Sequence, residues 1–105
     1  MRIPLQQSPS YERNEERFPS RGDTEEPCLV CGKAVKRETA LFVEMLYTQE
    51  LPLDEEHTPE IDGGLSQGWF PVGGDCWRRI QKAAHEAGGP APPTRTLQGM
   101  EAEAL

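Results

Sequence analysis

The sequence predicts a small α+β domain: a tight cysteine turn, two short strands and a closing helix, tied together through three cysteines. Three observations predict it. Cys28 and Cys31 stand two residues apart in "CLVCGK", and Cys76 follows much later in "GGDCWRRI". Between them lie two runs rich in β-branched, aromatic and aliphatic residues, "TALFVEMLYT" and "LSQGWFPV". After them comes one unbroken helical run, "GGDCWRRIQKAAHEAGG", stopped by Gly88, Gly89 and Pro90.

A chain of 105 residues holds one domain at most. Only 35% of residues are hydrophobic and the mean hydropathy is −0.69, a composition that buries little core. The polarity is concentrated at the ends. Ile3, Leu5, Tyr11 and Phe18 are, beyond Met1, the only sizeable apolar side chains in residues 1–26, and residues 89–105 are mostly Gly, Pro, Ala and scattered charge. Both segments are expected to be disordered tails, because neither offers enough apolar surface to offset the entropy of ordering. The domain is therefore expected at residues 27–88. A unit of about 60 residues folds alone only marginally and commonly needs a cross-link.

The cysteines decide which cross-link. Three of them cannot all pair within one chain. Arg2 is followed by no apolar run of the kind a secretory signal needs, and no stretch reaches membrane-spanning length. The expected compartment is the cytoplasm, where a Cys-x-x-Cys is more often a metal clasp than a disulfide. The net charge of −7 argues against a broad phosphate-backbone footprint and for partners that are proteins.

The elements follow in order. "CLVCGK" reads as a turn in which Gly32 adopts positive φ and the amides of Val30, Gly32 and Lys33 point at sulfur. Thr39 to Thr48 reads as a strand whose two faces are both largely apolar. One carries Thr39, Leu41, Val43, Met45 and Tyr47, and the other Ala40, Phe42, Glu44, Leu46 and Thr48. "QELPLDEEHTPEIDGG" reads as an acidic loop. "LSQGWFPV" is a second strand that Pro71 confines to a sheet edge or strand end. The helix is expected to take Gly74 or Asp75 as N-cap and to bury Cys76, Ile80, Ala83, Ala84 and Ala87, with Trp77 beside them.

Two residues between thiolates let both sulfurs reach one ion in tetrahedral geometry, and Cys76 in the first turn of a helix has its thiolate favoured by the helix dipole. The expected ion is Zn²⁺, held by Cys28, Cys31 and Cys76 with His57 as fourth ligand. His57 sits on the loop between the strands and is free to reach the site. Glu44 is the competing candidate, as the one charge in an apolar segment. Asp75 reads more simply as a cap. His85 lies nine residues beyond Cys76, roughly 13 Å along a continuous helix, which is too far to share the ion. A thiol redox pair at Cys28–Cys31 is a rival reading, although such pairs normally sit at a strand-to-helix junction in a βαβ context.

Trp69, Phe70 and Trp77 gather around the Cys76 turn. They read first as a small core beside the metal and second as an aromatic surface for a partner. Arg78, Arg79 and Lys82 form one positive helix face, which reads as a solvated face, a protein contact or a nucleic-acid contact.

Taken together, "CLVCGK…LFVEM…DGG…GWFPVGGDCWRRI" resembles a group of small uncharacterised bacterial, phage and plasmid proteins with a Cys-x-x-Cys-Gly knuckle and a Phe-Pro-Val-Gly-x-x-Cys turn, and more broadly the treble-clef class of zinc domains. The resemblance covers roughly residues 28 to 82. It implies a knuckle, a β-hairpin and a helix around zinc, and for this chain a role as a phage or plasmid accessory factor. Treble clefs usually take two ligands from the helix at i and i+3. Here i+3 from Cys76 is Arg79, so the fourth ligand must come from elsewhere. Some members of the group are expected to carry a His in the first strand, where this chain has Glu44.

The sequence thus points to a small non-enzymatic zinc-binding protein that contacts another protein through Trp69, Phe70, Trp77, Arg78 and Arg79. A nucleic-acid-binding regulator using the Arg78, Arg79 and Lys82 face is the alternative. No small-molecule substrate and no membrane partner is indicated.

Overall fold

In a computed structural model, residues 1–16, 24–54 and 66–103 are described. Among the described residues the elements run in the order β1 (Arg2–Pro4), α1 (Tyr11–Glu16), β2 (Glu25–Pro27), β3 (Ala34–Lys36), β4 (Leu41–Leu46), β5 (Glu50–Pro52), β6 (Ser66–Val72), α2 (Gly74–Glu86), β7 (Thr94–Arg95) and α3 (Leu97–Glu103). The expected α+β class is what these elements make.

The central strand is β4. It pairs antiparallel with β6 on one edge and with β7 on the other. Phe42, Val43, Glu44, Met45 and Leu46 are all buried, which explains why both faces of this segment are apolar in sequence. β6 is an edge strand, as Pro71 requires. Its register slips against β4 between Met45 and Leu46, which face Gly68 and Ser66, so Gln67 is the extra residue of a bulge. Gly68 takes φ +111° there, a value that a side chain disfavours.

The cysteine turn is a hairpin of its own, with β2 and β3 paired antiparallel and Pro27 opposite Ala34. The Gly32 N–H donates to the Cys28 carbonyl at 2.9 Å, and Cys28 N–H to the Lys33 carbonyl at 2.8 Å. The Gly32 amide thus closes the turn and does not point at sulfur as expected. Gly32 has φ +77°, and a Cβ at this position would stand 2.6 Å from the Tyr11 carbonyl oxygen.

Helix α2 begins one residue earlier than expected. Gly73 is the N-cap, in an extended conformation and with no side-chain cap bond, while Asp75 lies in the first turn and pairs with Arg78. Cys76, Ile80 and Ala84 face inward, Ala83 is partly buried, and Ala87 is exposed as the C-cap. The chain leaves the helix through Gly88 at φ +80°.

Three segments read from composition as loop or tail take part in regular structure. Glu50–Pro52, within the expected acidic loop, is β5 and pairs with β1, with Ile3 opposite Leu51. Ile3 lies in the same buried cluster as Cys28, Val43, Leu53, Cys76 and Ile80, so the core includes a residue from outside the 27–88 span. Thr94 and Arg95, also outside that span, pair with Val43 and Phe42. Average polarity hides such pairing: two or three residues docking on a distant strand need only one apolar side chain, or only the backbone. Of the expected tail residues, 17–23 and 104–105 lie outside the described segments.

Candidate metal centre

Three elements deliver the three sulfurs. The β2–β3 turn carries Cys28 and Cys31, and the first turn of α2 carries Cys76. The knuckle is moored to the sheet by Leu29 N–H donating to the Pro71 carbonyl at 2.9 Å, just before the chain turns into α2. The ligand atoms of Cys28, Cys31 and Cys76 all lie within 4.8 Å of one another, and no disulfide joins them. The structure therefore brings together three of the four residues expected to form the site, close enough to hold one metal ion.

The surroundings of the sulfurs are unequal. Cys28 is 0% exposed. Burial alone would push its thiol pKa up, but backbone N–H groups of Cys31, Gly73 and Val30 and a hydrogen bond with Cys76 outweigh it, and the net shift is downward. The Gly73 donor is 3.3 Å from the Cys28 sulfur. Cys76 is pushed up to about 12, by burial first and then by the charge and hydrogen bonds of Cys28 and Cys31. Without an ion, thiols this close cannot all ionise. A dication reverses that logic and takes them as thiolates.

Sequence reasoning did not find the N-terminal support of the knuckle. Ser8 N–H donates to the Val30 carbonyl at 2.8 Å, the Gln7 side-chain amide to the Leu29 carbonyl at 3.0 Å, and the Asn14 side-chain amide to the Cys31 carbonyl at 2.7 Å. These bonds occupy the carbonyls of Leu29, Val30 and Cys31. The available signal was weak: Gln, Ser and Asn in a polar stretch look like solvated residues until their partners are known.

The fourth ligand divides into three cases. His57 lies outside the described residues. Glu44 is not in the sulfur cluster. It is 3% exposed on the face of β4 opposite Val43 and Met45, and it accepts a hydrogen bond from the Ser66 hydroxyl at 3.0 Å. Arg79 follows Cys76 by one helical turn and offers no donor to a cation.

The expected contact residues are distributed differently. Phe70 and Trp77 are partly buried against the core, and Trp69 is half-buried beneath Arg95, whose guanidinium carbon is 4.2 Å from the ring centroid. Arg78 and Arg79 are exposed. Arg78 pairs with Asp75 at 2.9 Å and Lys82 with Glu86 at 4.0 Å, so neighbouring acids answer much of this helix's positive charge. Among the described residues, no helix is long and apolar enough to cross a membrane.

The chain matches no family model, and comparison with curated proteins and with solved structures returns no match for it.

Proposed function

We propose that this is a small non-enzymatic zinc-binding protein in which the metal joins a knuckle to a helix and so holds a protein-interaction module together. The observation that carries the reading is the set of three sulfurs within 4.8 Å of one another, drawn from the two ends of the central fold. Tetrahedral zinc with sulfur at roughly 2.3 Å needs sulfur–sulfur separations of roughly 3.8 Å, within that limit. Thiolate donors favour Zn²⁺ over Mg²⁺ or Ca²⁺. The order of knuckle β2–β3, antiparallel pair β4–β6 and helix α2 supports a treble-clef-like arrangement. A reducing cytoplasm would keep the three thiols available as ligands.

A partner would meet the outward face of α2, with Arg78 and Arg79 exposed and Trp77 at its border. Its charges are largely matched in pairs, which suits a protein surface better than a phosphate backbone. A role as a phage or plasmid accessory factor rests on the resemblance of the cysteine motifs alone.

Elemental analysis of the purified full chain tests the metal reading. About one zinc per chain is expected, lost together with the fold in Cys76→Ser. A metal-free, well-folded wild type would refute it. Salt-dependent binding of a duplex by the wild type, abolished in Arg79→Ala, would favour the nucleic-acid alternative.

A further inference from the structure

The sulfur cluster lies beside an open cleft, with Cys31 as its most exposed member. Cys28 is fully buried and is met by the Gly73 N–H. Cys31, which is half-buried, and Cys76, itself only 4% exposed, border this open cleft of ≈410 Å³ between α1, the knuckle and the start of α2. Arg13, Lys33 and Arg79 also line it, with Asp75 as its one acid. That acid is already paired to Arg78, whereas Arg13, Lys33 and Arg79 have no ion-pair partner among the described residues. In a chain of net charge −7, this is a local concentration of unmatched positive charge.

The same place lacks a protein donor among the described residues. No His, Asp or Glu ligand atom there joins the three sulfurs. Position i+3 on α2, which shares a face with Cys76, supplies the guanidinium of Arg79. Three thiolates on a divalent ion leave one negative charge, and a fourth anionic donor adds another. Three cations beside the opening would stabilise that excess.

We infer that the fourth coordination position is filled from solution by a low-molecular-mass thiol bearing a carboxylate, its sulfur on the metal and its carboxylate among Arg13, Lys33 and Arg79. This rests on the metal reading above. A soft donor suits a centre already made of sulfur, and guanidinium N–H groups donate well to carboxylate oxygens. On binding, the thiol releases its proton to solvent, a thiolate–metal bond forms, and no redox change occurs.

Cobalt(II) reports this directly, because its visible spectrum follows the donor set. The full chain is loaded with Co²⁺ and titrated with 3-mercaptopropionate, cysteamine and propionate. A saturable change in the sulfur-to-cobalt and d–d bands is expected with 3-mercaptopropionate, at roughly tenfold lower concentration than with cysteamine, and none with propionate. The double variant Arg13→Ala/Arg79→Ala should lose the preference between the two thiols. A cobalt protein indifferent to all three probes overturns the inference while leaving the metal reading intact. So does His57→Ala if it alone converts the spectrum, since the chain then supplies the fourth donor. A chain that takes up no Co²⁺ removes both readings.

Discussion

On one side of β4, Leu41, Val43 and Met45 look onto a cluster containing Cys28, Cys76 and Ile80; on the other, Phe42 and Leu46 are buried beside Glu44. Each side must place polar atoms away from water. The Glu44 side holds a carboxylate that the adjacent strand answers through the Ser66 hydroxyl at 3.0 Å. The cysteine side gathers three thiols from distant parts of the chain, with Cys28 held low and Cys76 pushed up to about 12. A neighbour in the same sheet satisfies the first. The second brings like groups together at close range, an arrangement that an ion resolves. Metal dependence should therefore be confined to one face of one strand.

The largest expected effect comes from removing a thiol. Cys76→Ser should lose bound zinc and the cooperative thermal transition, because the binding free energy of a structural zinc, about 10–16 kcal/mol, is comparable with the whole stability of a small domain. Metal analysis and near-ultraviolet circular dichroism of Trp69 and Trp77 check this. Retention of a sharp transition without metal would show that packing alone holds the cysteine side.

Packing on that side can be weakened without touching a ligand. Ile3 is 5% exposed in the same cluster as Cys28 and Cys76. Ile3→Ala should cost about 2–5 kcal/mol in denaturant unfolding, with zinc content unchanged. A loss under about 0.5 kcal/mol would mean that the β1–β5 pairing contributes little to the core.

A third effect is a dependence on pH. With no ion present, burial and the neighbouring Cys28 and Cys31 push the Cys76 thiol up to about 12, so it is protonated around neutral pH and must release its proton when zinc binds. Raising the pH lowers the cost of that release. Zinc affinity should rise by at least roughly tenfold per pH unit through the neutral range. Competition with a chelator at several pH values measures this.

Much of the cysteine side was legible in the sequence. Cys-x-x-Cys with a following Gly fixed the knuckle, the two apolar runs gave β4 and β6, and Pro71 gave the edge. The start of α2 shifted by one residue because Gly73, with no side chain to signal a cap, took that place. Ile3 with Leu51, and Thr94 and Arg95 with β4, escaped because their pairings span long separations and involve two or three residues each. Periodicity cannot register so short a strand. The cleft beside Cys31 and Cys76 escaped for a related reason: Arg13, Lys33 and Arg79 come from three separate elements, and only the fold places them together.

Glu44 gives the smallest expected effect and the sharpest separation of the two faces. From sequence it is a reasonable fourth ligand, and alternation along β4 sets it on the face away from the sulfurs. Glu44→Gln keeps the volume and leaves a carbonyl oxygen to accept from Ser66, while removing the charge. Zinc content should stay at the wild-type value and stability should move by about 1 kcal/mol or less. Its sign depends on what the carboxylate gains from its neighbours against what burial costs it, and these oppose each other. Loss of zinc in this variant would place the carboxylate in the metal's coordination sphere and make the two faces one site. Unchanged zinc with a small shift in stability would leave the metal to the cysteine face alone.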